Sequence, residues 1–181
     1  MKLFEHSLEV AAYAEHLAKV HGVDPDWIYA AGLYHDLGKT MDLDAMRRTA
    51  EEEAIIFDED ESNSPSLLHS AASAALFRKE HNPPEEFIRA VRGHTTGFAP
   101  FGKEEQILYI ADFAEPTRPY EECASVRATA ERNLRLAALE AVSFKIRFLI
   151  LRNKTIHPKS IALYNHLLKL ESPVVPAAKG G

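Results

Sequence analysis

Apolar residues recur along this chain every three or four positions, and runs that alternate apolar and polar residues are missing. This spacing places apolar side chains on one face of a helix rather than on one face of a strand. The first predicted helix spans residues 3–21. His6 lies on the same face of it as Val10 and Leu17, so we expect His6 to point toward the interior. The pattern predicts an all-α protein with a histidine on a buried helix face.

Capping residues and prolines divide the rest of the chain into further helices. Asp24 can cap the free amides of a helix that begins at Pro25, because proline is tolerated at the first helical position. Gly38 is expected to end this helix in the left-handed conformation that is common after helix C-termini. The later helices are predicted at residues 42–55, 65–81, 84–94, 103–115, 121–152 (one bent helix or two shorter ones) and 158–170.

The remaining segments are predicted to lack regular structure. Residues 57–66, FDEDESNSPS, are an expected acidic loop whose run 58–61 lies on the solvated surface. Residues 95–102 are an expected second loop. The composition supports one domain over residues 1–171, followed by a flexible C-terminal tail at residues 172–181.

Composition and charge limit the classes of function. A formal net charge of -6 argues against broad nucleic-acid binding, which needs a basic face, but it leaves a local site for a small anion open. The single cysteine, Cys123, cannot form an internal disulfide. No apolar run approaches the roughly 20 residues of a membrane span, and no leader precedes the first helix. We therefore expect a cytoplasmic protein without nucleic-acid or membrane partners.

Histidines and aspartates stand out on several predicted helices as candidate metal ligands. Asp112 lies among apolar neighbours and would be costly to bury without a partner. A cation removes this cost, whereas the alternatives are an ion pair with a basic residue from another helix or exposure on a polar face. His35 and Asp36 offer imidazole and carboxylate donors that suit iron, manganese or zinc. The alternative is that they merely end a helix, with a histidine that is favourable at the C-terminus and a solvated aspartate. The candidates are His6, His35, Asp36, His69, His94 and Asp112.

These motifs resemble the HD-domain superfamily. His6, the segment HDLGK at 35–39 and Asp112 within IADFAEP reproduce its H…HD…D signature. The segments SLLHSAASA, AVRGHTTG, ILYIADFAEPTRPYEE and IHPKSIALYNHLL are similar to bacterial YqeK-type HD hydrolases, so the resemblance covers nearly the whole chain. It implies a compact HD-domain helical bundle. It also implies the activity of a symmetrical bis(5'-nucleosyl)-tetraphosphatase, which converts diadenosine tetraphosphate and water into two ADP with one or two bound iron ions.

The resemblance also implies roles for individual residues. His6, His35, Asp36 and Asp112 become metal ligands, and His69 and His94 lie at a second metal position or beside the phosphates. Asp36, Lys39, His69 and His94 form the implied catalytic set. The implied substrate contacts are Lys39, His69, His94, Thr95, Arg118 and the segment 155–160, which comprises Thr155, Ile156, His157, Pro158, Lys159 and Ser160.

Some of these roles have simpler alternatives in the sequence. Lys39 and Arg118 offer charge to phosphate oxygens, but they are also ordinary among 21 basic residues. His157 could merely cap the last helix. Leu3 stands where the relatives usually carry arginine, so the phosphate contact expected there is absent or altered.

The expected mechanism is attack by a metal-bound hydroxide on a central phosphorus, with Lys39 and Arg118 stabilising the leaving diphosphate and Asp36 bridging two ions. Iron follows from the resemblance alone, since manganese, cobalt or zinc would also suit these donors. Three alternatives stay open: a phosphohydrolase of nucleoside monophosphates or deoxynucleotides, a non-catalytic nucleotide-binding module, and an iron oxygenase. A homodimer is also open.

Overall fold

Helices account for all the regular structure of residues 3–171, the part of the chain that the computed structural model describes. This confirms the predicted all-α class. Residues 172–181, the predicted flexible tail, lie outside the described residues. The α-helices are α1 (Leu3–His21), α2 (Pro25–Tyr34), α3 (Leu43–Glu52), α4 (Glu59–Ser62), α5 (Pro65–His81), α6 (Glu85–Gly93), α7 (Lys103–Ala114), α8 (Glu121–Ala130), α9 (Leu134–Leu151) and α10 (Pro158–Glu171), with a 3-10 turn at Leu37–Thr40.

Side-chain caps fix several of these helix starts. Asp24 accepts hydrogen bonds from the backbone amides of Asp26 and Trp27, and Asp42 accepts one from the amide of Ala45. Both contacts satisfy amides that have no partner within the helix. The predicted starts of α2 and α3 are therefore confirmed.

The segment predicted as one bent helix or two shorter ones forms two helices. Asn133 caps α9 through its side chain, which accepts from the amide of Leu136, and α8 has already ended at Ala130. Within residues 3–171, none of the helices combines the length and the apolar composition needed to cross a bilayer.

Helix α7 forms the centre of the core. Every residue from Glu105 to Ala111 is buried, and the helix packs against α1, α2, α6, α8 and α9. A helix that is buried on all sides needs an apolar neighbour on each face, which explains its nearly continuous apolar sequence. Side chains from the surrounding helices therefore meet at the end of α7, where Asp112 lies.

The prediction that α2 continues to Gly38 was wrong. The helix ends at Tyr34, and within the described chain the glycines with positive φ are Gly22 and Gly97. Gly38 instead packs tightly on α5: a Cβ added to it would overlap the backbone oxygen of His69, and its amide donates to the Ser73 hydroxyl at 2.8 Å. The glycine thus brings the turn that follows α2 against α5. Helix α3 likewise ends at Glu52, earlier than expected.

The prediction of an acidic loop was wrong at residues 59–62, and the predicted solvated surface is found at Glu59 and Asp60 but not at Glu61. Residues 59–62 form α4, and its first turn is a capping box in which Asp58 and Glu61 each accept the other's backbone amide. The Glu61 side chain is 0% exposed. Its charge can be buried because Arg92 and Lys159, from other parts of the chain, form ion pairs with it. A charged residue is seldom buried unless it is paired in this way.

Candidate active site

Five α-helices or helix ends deliver the predicted ligands to one region. His6 extends from the first turns of α1, and His69 lies on α5. His94 follows α6 directly, and Asp112 lies on α7. The adjacent residues His35 and Asp36 lie between α2 and the 3-10 turn. All except Asp112 are buried, and the Asp112 side chain is 19% exposed.

One group of donor atoms forms around Asp112. Its Oδ1 lies 3.2 Å from Nε2 of His6 and 3.7 Å from Nε2 of His35. The two imidazole rings meet edge to face, with centroids 5.3 Å apart. Donor atoms of the three residues all lie within 4.8 Å of one another. Three of the four predicted primary ligands are therefore close enough to share an ion.

A second group shares His35 with the first. His35, Asp36 and His94 also present donor atoms that lie within 4.8 Å of one another. The Oδ2 of Asp36 is 3.4 Å from Nε2 of His35, and its Oδ1 is 3.5 Å from Nε2 of His94. His69 lies beside this group, with its Nε2 3.3 Å from Oδ1 of Asp36. The two carboxylate oxygens of Asp36 thus face different imidazoles.

Backbone carbonyls select the tautomers of two buried imidazoles. Nδ1 of His35 donates to the carbonyl of Gly32 at 2.7 Å, and Nδ1 of His94 donates to that of Val91 at 2.7 Å. A carbonyl can only accept, so in each neutral ring the proton lies on Nδ1 and Nε2 keeps its lone pair. This arrangement is the usual one for histidines that ligate a metal. Both Nε2 atoms are oriented toward the carboxylates.

The donor set fits a metal ion. Nε2 of His35 and Oδ1 of Asp36 are buried and have no hydrogen-bond partner, which is costly unless another group satisfies them. Ligand atoms about 2.1 Å from one ion lie about 3.0 to 3.5 Å apart in octahedral or tetrahedral arrangements. The observed separations of 3.2 to 3.7 Å are close to this range. The residues present can therefore hold a divalent cation.

The electrostatics of the site favour bound cations. Burial alone would raise the pKa of Asp36, but the three neighbouring imidazoles hold it far below its usual range. Burial would likewise raise the pKa of Asp112, and the ammonium of Lys145 and the hydrogen bond with His6 keep it well below that range. Burial lowers the pKa of His94 to about 4. Ionised carboxylates and a neutral imidazole are the forms that bind metals.

Lys145, on α9, is a site residue that the sequence did not reveal. Its Nζ lies 3.5 Å from Oδ2 of Asp112, donates to the carbonyl of His94 at 3.1 Å and sits 3.9 Å above the ring of Tyr109. The Oδ1 of Asp112 faces the histidines, so the two oxygens of this carboxylate divide between imidazoles and an ammonium. Its local sequence, VSFKIRF, has no feature that marks one lysine among 21 basic residues.

Glu115 is a second site residue that was not predicted from the sequence. Its side chain is 0% exposed, and its Oε1 lies 3.6 Å from Nδ1 of His6. Its Oε2 accepts from the amide and the hydroxyl of Thr117 at 2.7 Å each. At this distance the carboxylate faces the imidazole of the candidate ligand His6 without a hydrogen bond between them. The available signal was its spacing, because Glu115 comes three residues after Asp112, directly beyond the end of α7.

The predicted phosphate-binding residues lie at the edge of this cluster. Nζ of Lys39 donates to Oδ2 of Asp36 at 2.7 Å, and its side chain is 46% exposed. Nη2 of Arg118 donates to the carbonyl of Asp112 at 3.2 Å, and its side chain is 35% exposed. Oγ1 of Thr95 lies 3.0 Å from Nε2 of His94. The structure brings all three residues to the ligands, where Lys39 and Arg118 are also open to solvent.

The segment 155–160 contacts groups other than the candidate metal ligands. Ser160 donates to the carbonyl of Thr96, one residue beyond Thr95, at 2.8 Å. His157 and Lys159 are both paired with Asp58. His157 also caps α10, since its Nδ1 accepts from the amide of Lys159 at 3.2 Å. Thr155 and Pro158 are exposed, and Ile156 is half-buried.

Comparisons with known proteins agree with this geometry. The HD domain family model matches residues 3–115, which include all the candidate metal ligands. The chain is 33% identical over 170 residues to "Bis(5'-nucleosyl)-tetraphosphatase, symmetrical" from Halalkalibacterium halodurans, covering 91% of this chain and 88% of that one. It is 30% identical over 168 residues to the protein of the same name from Staphylococcus aureus, covering 91% and 86%.

A solved structure shares the fold. It is described as a predicted HD superfamily hydrolase involved in NAD metabolism from Clostridium acetobutylicum, with a TM-score of 0.86 and 29% sequence identity. The similarity covers 94% of this chain and 90% of that one. The helices outside residues 3–115 are therefore part of the shared architecture.

Proposed function

This chain belongs to the HD-domain family, and from that premise we propose that it hydrolyses symmetrical dinucleoside tetraphosphates, with diadenosine tetraphosphate and water giving two ADP. The observation that carries the proposal is a pair of adjoining donor groups, one of His6, His35 and Asp112 and the other of His35, Asp36 and His94. It occurs in a chain that is similar over about nine-tenths of its length to symmetrical tetraphosphatases. The nucleotide substrate and the class of reaction follow from those relatives.

The proposed metal site uses both donor groups. His6, His35 and Asp112 would hold one ion, and His35, Asp36 and His94 have the donors for a second position. A bound divalent ion lowers the pKa of water toward about 7 and neutralises charge on the attacked phosphate. We assign iron from the resemblance to the family, and manganese, cobalt and zinc are expected substitutes because imidazole and carboxylate suit all of them.

The protein's own side chains would bind and orient the polyphosphate. Lys39 and Arg118 each contact a ligand carboxylate or its backbone while staying partly open to solvent, so their charges can reach phosphate oxygens. His69 lies beside the donor groups and is assigned to the phosphates together with Thr95, whose hydroxyl is 3.3 Å from its Nε2. Residues 155–160 are assigned to the nucleoside part of the substrate.

A product assay tests the proposed reaction. Protein purified without chelator is analysed for bound metal and incubated with diadenosine tetraphosphate, and the nucleotides are separated by anion exchange. ADP as the only product supports the proposal. Formation of ATP and AMP, or phosphate release from monophosphates alone, contradicts it. Protein treated with EDTA should be inactive and should recover with added iron or manganese.

Other expectations need their own measurements. A homodimer is tested by the mass in solution, and the expected lack of nucleic-acid binding is tested by titration with labelled RNA and DNA. The cytoplasmic localisation stays a prediction.

A further inference from the structure

An ion network around the buried carboxylate of Glu61 links α4, α6 and the start of α10. The carboxylate of Glu61 accepts from Nη2 of Arg92 at 2.6 Å and from Nζ of Lys159 at 2.7 Å through the same oxygen, Oε2. Lys159 also contacts Oδ2 of Asp58 at 2.8 Å, and Nε2 of His157 contacts Oδ1 of Asp58 at 3.2 Å. Asp58, the N-cap of α4, and Glu61 within it thus hold two side chains of segment 155–160.

The same network reaches the metal ligands from its other side. Nη1 of Arg92 donates to the hydroxyl of Ser70 at 3.2 Å, and Ser70 directly follows His69 on α5. Arg92 itself lies two residues before His94 on α6. Ser160 adds a third connection through its hydrogen bond to the carbonyl of Thr96. Hydrogen bonds and ion pairs therefore hold the start of α10 close to His69 and His94.

We propose that Glu61 is a positioning residue for the substrate: its buried carboxylate holds Lys159, and with it segment 155–160, at the correct distance from the His69 and His94 pair. The inference rests on the proposed function, because that function assigns segment 155–160 to the nucleotide. Glu61 itself is 0% exposed and touches neither a metal ligand nor solvent. It acts through Lys159 and Arg92, so its removal should weaken substrate binding and leave metal binding intact.

The geometry also explains why one carboxylate can have this effect. Glu61 lies on a helix of only four residues, and its backbone amide is already used to cap that helix with Asp58. The rigid capping box fixes the direction of the Glu61 side chain. Loss of its charge removes the carboxylate that neutralises Arg92 and leaves Lys159 paired with Asp58, so that the repulsion between the two neighbouring cations is less well compensated. Lys159 is the more exposed of the two, so we expect segment 155–160 to move.

The test compares Glu61→Gln with Glu59→Gln in the full-length protein. Glu59 is exposed in the same helix, so this control removes the same charge by the same chemical change. With diadenosine tetraphosphate as substrate, Glu61→Gln should raise KM about tenfold while kcat changes less than about threefold, as expected for lost binding. Its metal content should equal that of the wild type. Hydrogen exchange should rise at the amides of residues 155–160, and Glu59→Gln should behave as the wild type in every measurement.

Two further variants separate positioning from general stability. Asp58→Asn keeps the helix cap, because asparagine caps as well as aspartate, but it loses the charge that faces Lys159. It should raise KM in the same direction, which keeps the proposal testable if Glu61→Gln fails to fold. In a Lys159→Met background, Glu61→Gln should have much less effect on KM, because the two residues act on the same contact.

The outcomes distinguish this inference from the proposed function. If the wild type does not hydrolyse the tetraphosphate, the proposed function fails. If the wild type is active and Glu61→Gln has the KM and the hydrogen exchange of Glu59→Gln, the positioning role is wrong. A lowered Tm with an unchanged KM would assign Glu61 to stability alone, and a loss of metal would assign it to the metal site.

Discussion

Replacing Gly32 by alanine should separate α1 from α2 and weaken metal binding. The two helices cross so closely at this point that a Cβ on Gly32 would lie 2.5 Å from Cα and 2.9 Å from N of Ala11. Both are backbone atoms, which cannot rotate away. His6 lies on α1 and His35 follows α2, so this crossing sets the distance between two candidate metal ligands. The carbonyl of Gly32 also accepts the hydrogen bond that orients His35.

The magnitude follows from the missing space. Ordinary contact begins at 3.4 Å, so the helices must move apart by about 1 Å at the crossing. Forced overpacking of this kind costs about 1–3 kcal/mol, and the better helix propensity of alanine returns up to about 1 kcal/mol. We expect a net loss of about 1–2 kcal/mol and a Tm lower by about 2–8 °C. A metal site tolerates only about 0.5 Å of misplacement, so metal affinity should fall at least about tenfold.

The assay pairs thermal unfolding of metal-free protein with titration of the same protein by manganese or cobalt. Gly22→Ala is the control, because Gly22 has φ +70° and nothing within 4 Å of an added Cβ. Its alanine variant should lose about 1–2 kcal/mol from backbone strain alone and keep its metal affinity. If Gly32→Ala loses as much stability as Gly22→Ala but binds metal as tightly as the wild type, the crossing does not set the ligand geometry.

Three further predictions concern individual charges. Asp36→Ala should abolish metal binding and activity while circular dichroism stays helical, and full activity in this variant would refute its role as a ligand. Arg118→Met should raise KM for diadenosine tetraphosphate about 10- to 100-fold, the size of a lost charge-assisted hydrogen bond, whereas the exposed Arg132→Met should not. Burial alone would raise the pKa of Glu61, but Arg92 and Lys159 lower it below its usual 4.5. The stability that Glu61 adds over Glu61→Gln in urea unfolding should therefore be complete above about pH 4.5 and shrink below it; a constant difference down to pH 3 would contradict this.

Local sequence was sufficient for most of the helices and for the choice of candidate ligands. Asp24 and Asp42 cap helices through contacts within four residues, so their effect can be recognised without the fold. The ligands are recognisable for a different reason. His35 and Asp36 must supply an imidazole nitrogen and a carboxylate oxygen from adjacent positions. This requirement fixes two residue types in sequence, which can be recognised as a motif. Their burial and mutual distances were not needed to identify them.

The residues that were not predicted from the sequence depend on distant partners. Glu61 is buried because Arg92 and Lys159 reach it from 31 and 98 positions away, and no local pattern announces such a pairing. Its neighbours are mostly acidic, which favours exposure when the segment is considered alone. One local sign did exist, since Asp58 and Glu61 have the spacing of a capping box, which predicts a short helix there instead of a loop. Lys145 left no comparable sign.

The candidate metal ligands and several of the basic groups around them come from different parts of the chain. All the candidate metal ligands lie within residues 3–115, the part that matches the HD domain family. Of the basic groups near them, Arg118 and Lys145 come from beyond residue 115, as does segment 155–160. A metal centre needs the same few donors whatever the phosphate ester, whereas the substrate is selected by the charges and hydrogen bonds around that centre. The C-terminal helices α8 to α10 are therefore where we expect substitutions to change which phosphorylated compound is bound, with the metal left in place.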